Sequence, residues 1–291
     1  MAGGRQVTFA REILGRKGID KVNYWTGDRM ELGTELQRVI DDIAEASGYI
    51  WDKGWAAKNA GNVSVDVTEF IAGSKGLEQG QRIPAKISLS ELAGRYFLLK
   101  ITGFRFRDLA RDPEKGLLLV RITERADGYY YLWGGEGPQS KPTAEFIPHL
   151  KIQAFLRRNN RPEKAVLHTH PPHLVALSHR EDYGQDSFNC FLWATHVGAK
   201  LFLPEGIGMV PFLRGGSDEL GDATAELFQK HQAVLWERHG CTALGKDVMD
   251  AFDTIDIIDT TARVYIICKS GGFSPKCLTD DQLAELKKLA I

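Results

Sequence analysis

The tightest constraint in this chain is a pair of histidines, His168 and His170, set at the end of the apolar run Val166-Leu167 with only Thr169 between them. A strand alternates its faces, so the two imidazoles point the same way from Cα atoms roughly 6.5–7 Å apart, within reach of one ion. Two neutral imidazoles on one buried face would otherwise each need a hydrogen-bond partner of its own. The pattern therefore asks for a strand here and for a fold that returns a third ligand to its end. His239 follows a second apolar run, Ala233-Val234-Leu235-Trp236, and is the matching candidate, with Glu145 as the carboxylate candidate upstream. A catalytic zinc takes three protein ligands and keeps one position open. His173, after Pro171-Pro172, is expected at the surface or in support of a ligand, and His149, His179, His196 and His231 carry no metal spacing.

Composition narrows the classes of partner. With 37 basic and 38 acidic residues the formal net charge is −1, which leaves no electrostatic footprint for nucleic acid or an anionic membrane; a small or modestly charged ligand fits better. No apolar run approaches the ~20 residues of a spanning helix, and the start of the chain, with Arg5, Arg11, Arg16 and Lys17, has no signal-peptide core, so a cytoplasmic location is expected. Cys190, Cys241, Cys268 and Cys277 are scattered without a C-x-x-C pair and are expected to be reduced thiols. Cys241, two residues after His239, is expected to pack rather than ligate.

Residues 1–33, rich in glycine and basic residues, read as an extension; residues 34–291 read as one catalytic domain, ample for a core at 43% hydrophobic content. Leu36, Val39, Ile40, Ile43, Ala46 and Ile50 recur at helical spacing up to a break at Asp52–Gly54. Asn62 to Val67 alternates as a half-buried strand, Ile71 to Leu89 reads as a variable loop, and Tyr96 to Ile101 reads as a second strand. Leu117 to Ile122 and Tyr129 to Trp133 read as a hairpin. Lys141 to Glu145 is expected to open a helix with Glu145 in its first turn. A short helix is expected after the histidine pair, a strand near Lys200 to Leu203, a helix from about Asp218 to Lys230, and a long helix from Asp247 to Ser270 stopped at Gly271-Gly272. Thr279 to Gln282 reads as a capping box for a last helix. The sum is a three-layer α/β/α domain around a mixed, largely antiparallel sheet.

Five segments, in this order and spacing, resemble one family: Gly54-Trp55-Ala56-Ala57-Lys58-Asn59-Ala60-Gly61-Asn62, Pro142-Thr143-Ala144-Glu145, His168-Thr169-His170, Leu192-Trp193 with Pro204-Glu205-Gly206-Ile207-Gly208, and Val234 to Gly240. They are similar to the class II aldolases of the fuculose- and rhamnulose-phosphate type, nearest the rhamnulose-phosphate branch. The resemblance implies one zinc ion per subunit on His168, His170 and His239, and Glu145 as the group that shuttles a proton at the enediolate carbon. It implies retro-aldol cleavage of L-rhamnulose 1-phosphate to dihydroxyacetone phosphate and L-lactaldehyde, within rhamnose metabolism. It further implies a homotetramer with sites between subunits, and a phosphate cradle at Asn59, Gly61, Asn62, Thr102, Gly103 and Thr143. Two positions depart from the pattern. Ala144 stands where relatives often have serine, and Gly198 stands where the rhamnulose enzymes place a second glutamate that reaches a neighbouring subunit's site. His196, two residues away, is the expected substitute. A fuculose-phosphate aldolase and a pentulose-phosphate 4-epimerase are alternatives on the same zinc site, and a structural zinc holding a binding module is the non-enzyme alternative.

Overall fold

The computed structural model describes residues 30–78, 80–181, 184–276, 278–286 and 288. Apolar side chains on both faces of successive strands build one nine-stranded sheet, a pattern that requires cover on either side. The strands are β1 (Asn62–Asp66), β2 (Gln81–Pro84), β3 (Tyr96–Lys100), β4 (Leu117–Ile122), β5 (Gly128–Gly134), β6 (Ala165–Thr169), β7 (Gly208–Val210), β8 (Ala233–Trp236) and β9 (Gly240–Gly245). Their order is β2-β5-β4-β3-β1-β6-β9-β8-β7, antiparallel throughout except for the parallel β7–β8 pair.

Alternation sorts the strand residues between two layers of helices. On one face Val63, Val65, Leu98, Leu167, Leu235 and Ala243 pack with α1 (Thr34–Asp52) and with the long helix Val248–Ser270. On the other face Leu99 and Val120 pack against Leu150 and Ala154 of the helix Phe146–Arg158, while Val166, Val234 and Leu244 pack against Ile152 and Leu156 of that helix and Leu220 of the helix Asp218–Leu227. The expected three layers and mixed sheet are therefore present. Asp247 caps the long helix by accepting from Asp250 N at 2.8 Å, and Thr279 and Gln282 form the expected reciprocal capping box.

Three local expectations are corrected. The segment read as a loop from Ile71 to Leu89 contains β2, an edge strand whose side chains are mostly exposed and so carry no apolar alternation. Lys200 to Leu203 is not a strand: Val197–Phe202 is a short helix, started by the His196 ring accepting from Gly198 N at 3.2 Å. Glu145 is not in a first turn but at the N-cap of Phe146–Arg158, with φ −98° and ψ 27°. Of the extension assigned to 1–33, residues 1–29 lie outside the described residues; Glu31 pairs with Lys75, and Gly33 N donates to Ser74 Oγ at 2.8 Å.

Candidate metal centre and active site

Strand register assembles the site at one end of the sheet. Asn62 of β1 pairs with His168 of β6, and His168 pairs with Thr242 of β9 on its other side. His239 is delivered by the tight turn between β8 and β9, where Arg238 has φ 56° and His239 N donates to Trp236 O at 3.0 Å. Gly240 is what lets this turn close on the histidines. A Cβ there would stand 2.4 Å from Thr169 O and 2.8 Å from ring atoms of both His168 and His170.

The three rings converge, with His168, His170 and His239 offering ligand nitrogens that all lie within 4.8 Å of one another. His168 Nδ1 lies 3.1 Å from Cys241 O, a carbonyl that can only accept, so its hydrogen is on Nδ1 and Nε2 carries a lone pair. That Nε2 is 3.1 Å from His170 Nε2. Burial pushes the pKa of His168 well below its ordinary value and that of His170 down to about 4, so both rings are neutral and able to ligate. Trp236 stacks on His168 at 4.2 Å between centroids and fixes its plane. The donor set of three imidazoles fits a borderline divalent cation. Among the described residues no Cys or Asp joins this group, and the one carboxylate beside it is Glu145. Cys241 contributes its carbonyl rather than its sulfur; the thiol is core, and burial raises its pKa.

Glu145 faces the triad. Its Oε1 is 3.6 Å from His239 Nε2 and its Oε2 3.8 Å from His168 Nε2, while Asn62 Nδ2 donates to Oε2 at 2.7 Å. The expected site residues divide around it. Thr143 is buried and its hydroxyl accepts from Glu145 N at 3.3 Å. Asn62 directs its amide at Glu145 and His149. Asn59 carries its carbonyl toward Lys100, and Gly61, at φ 74°, sits where a Cβ would meet His168 O at 2.8 Å. Thr102 and Gly103 form an exposed turn anchored by Thr102 N donating to Lys141 O at 3.0 Å. His173 is bound to Asp259 at 2.8 Å and stays off the metal nitrogens. His196 is engaged by Gly198 N and has no contact with Glu145 or the triad among the described contacts.

The sequence reading missed Lys100. It is 2% exposed in β3, its Nζ donates to Asn59 O at 3.3 Å and lies 5.2 Å from the Phe106 ring centre, and burial lowers its pKa to about 8 against the pull of Glu145. A lysine interrupting the apolar run Tyr96-Phe97-Leu98-Leu99 was the available signal.

The family described as Class II Aldolase and Adducin N-terminal domain matches residues 41–266. The chain belongs to the class II aldolase family. It is 36% identical over 254 residues to the rhamnulose-1-phosphate aldolase of Bacteroides thetaiotaomicron, covering 86% of this chain and 93% of that one. It is 29% identical over 252 residues to the rhamnulose-1-phosphate aldolase of Listeria monocytogenes, covering 85% and 91%. Among solved structures, a sugar-phosphate aldolase from Thermotoga maritima superposes with a TM-score of 0.70 at 31% identity, covering 82% of this chain and 98% of that one. In this class II aldolase the histidine triad is the metal site.

Proposed function

We propose that this aldolase cleaves L-rhamnulose 1-phosphate to dihydroxyacetone phosphate and L-lactaldehyde, with zinc held by His168, His170 and His239. The observation that carries the reading is Glu145, whose two oxygens stand 3.6 and 3.8 Å from ligand nitrogens beside the open side of a three-histidine site. When bound, the ion supplies the electron sink for the enediolate charge left as the C3–C4 bond breaks. Glu145, steadied by Asn62 and Thr143, delivers the proton to that carbon. The rhamnulose phosphate substrate, rather than another ketose phosphate, is supported by the names of the two curated relatives.

The phosphate falls to Asn59, Gly61, Thr102, Gly103 and Thr143, with Lys100 as the added cation; Asn62, the sixth member expected of this cradle, has its side-chain amide turned onto Glu145 and His149 instead. A buried ammonium making a single hydrogen bond among the described residues is costly to maintain, and a phosphate oxygen is the partner that would satisfy it. Lys100 thereby offsets the hydroxyl missing at Ala144. His196 handles the proton at the aldehyde oxygen in place of a glutamate at Gly198; with Nδ1 engaged by Gly198 N, its exchangeable proton is on Nε2. Such a role is exercised on a neighbouring subunit's site in a homotetramer.

Release of dihydroxyacetone phosphate from L-rhamnulose 1-phosphate by the zinc-loaded protein tests the whole reading. Release that stops on chelation and returns with zinc is expected. A folded, metal-loaded protein that frees no triose phosphate would overturn it, and recovery of a 4-epimer would put an epimerase in its place.

A further inference from the structure

Behind Glu145, a chain of buried side chains runs away from the metal. His149 lies one helical turn after Glu145, is fully buried, and has Nδ1 2.8 Å from Ser64 Oγ and Nε2 in short contact with Asn62 Oδ1. Asn62 Nδ2 in turn donates to Glu145 Oε2 at 2.7 Å. At the far end Gln153, also fully buried, has Nε2 3.0 Å from Lys164 O and 3.2 Å from Ser64 Oγ.

The direction of every bond follows from one backbone carbonyl. Lys164 O can only accept, so the Gln153 atom facing it is the amide nitrogen, and that nitrogen also donates to Ser64 Oγ. The Ser64 hydroxyl accepts from Gln153, and His149 Nδ1 is the only acceptor for its own proton among the described contacts, so that proton goes to Nδ1. Burial holds the ring neutral, with a pKa lowered to about 3, so a ring accepting at Nδ1 carries its hydrogen on Nε2. That hydrogen goes to Asn62 Oδ1, which turns the Asn62 NH2 toward Glu145. The reverse amide orientation would aim a carbonyl oxygen at the carboxylate.

We infer that His149 is a positioning residue for Glu145, fixing the Asn62 amide so that it donates to the carboxylate and holds it facing the triad. This rests on the reading of Glu145 as the proton-shuttling group. A packing role does not need an imidazole at 149: an apolar side chain would fill the space, whereas the ring buries two nitrogens and finds each a partner, Ser64 Oγ and Asn62 Oδ1.

Two measurements test the inference. The first needs no turnover: nitrogen NMR of the metal-free, histidine-labelled protein should show His149 as the Nε2–H tautomer, neutral down to about pH 5, as expected for a pKa near 3. A ring protonated on Nδ1 overturns the proposal whatever the enzyme does. The second compares His149→Leu with His149→Gln, whose amide nitrogen stands near the Nε2 position and keeps the donor. His149→Leu should lower kcat roughly 100-fold while KM and bound metal change less than about threefold, and His149→Gln should recover most of the loss. Equal impairment of both variants, or normal kcat in His149→Leu, would reduce His149 to a packing residue. Should His149→Leu fail to fold, Ser64→Ala removes the donor to Nδ1, while Gln153 keeps its bond to Lys164 O. It should release the ring into a mixture of tautomers with a smaller fall in kcat, and an unchanged tautomer with unchanged kcat would count against the inference. Glu145→Gln with full turnover would instead sink the reading of Glu145, leaving the tautomer result standing.

Discussion

The β8–β9 turn and the segment 185–206 both hold a histidine, and they do it by opposite means. At the turn, His239 is placed by hairpin closure and strand register, next to a glycine that no other residue could replace without striking Thr169 O and two rings. In the other segment, His196 stands between two helices, Gln185–Thr195 and Val197–Phe202, half-exposed, with its ring turned onto its own helix start. Val197 and Phe202 beside it are exposed apolar side chains. One region completes its geometry within the chain; the other leaves a half-exposed histidine on its own helix start beside two exposed apolar side chains. On the proposed reading, such a site would combine a rigid metal end with a proton-handling end that depends on where the half-exposed segment docks.

Gly240→Ala strikes the rigid end and carries the largest expected effect. The added methyl cannot be accommodated against a backbone oxygen 2.4 Å away, so the turn must open and carry His239 off the other two rings. Turnover should fall on the order of 1000-fold, comparable to losing the main electrostatic stabilisation of a transition state. Metal content measured after dialysis should fall with it. Full zinc occupancy in the variant would mean that the triad does not depend on the turn.

Lys100→Met separates substrate binding from the metal end. Losing a charge-assisted contact costs about 1.5–3 kcal/mol, so kcat/KM should fall roughly 10–100-fold, with zinc binding intact. Since burial lowers the Lys100 pKa to about 8, the charge is present below that pH and lost above it. The wild-type KM should therefore rise as pH passes through about 8, while the KM of Lys100→Met is high and flat over the same range. Superimposable KM profiles would remove Lys100 from the phosphate cradle.

The metal end was legible in the sequence because strand periodicity is a strong local rule: a two-residue spacing on an apolar run puts His168 and His170 on one face whatever the rest of the fold does. The core of α1 and the capping of Val248–Ser270 were legible for the same reason, being set by residues within a few positions of each other. What depends on residues far apart was not. His149 carries no metal spacing, and nothing in the sequence says that its helix faces Asn62 and Ser64 across 87 and 85 positions. Lys200-Leu201-Phe202-Leu203 is an apolar run too short to separate strand from helix by period, and the cap at His196 decided it. β2 escaped because an exposed edge strand has no buried face to write into the sequence.

The smallest expected effect sharpens the comparison most. His196→Ala should slow turnover about tenfold, less than the roughly 100- to 10,000-fold of a fully engaged general acid or base, because a half-exposed side chain leaves water access to the same oxygen. Its decisive use is in mixed oligomers with Glu145→Gln chains. If His196 serves a neighbour, the site of a His196→Ala chain keeps its own Glu145 and receives an intact His196 from an adjacent Glu145→Gln chain. Mixing in a nearly inactive partner should then raise the activity per His196→Ala chain, by up to the same tenfold. If His196 acts only within its own chain, mixing dilutes the activity and raises nothing, and segment 185–206 joins the β8–β9 turn as part of a site that each chain completes alone.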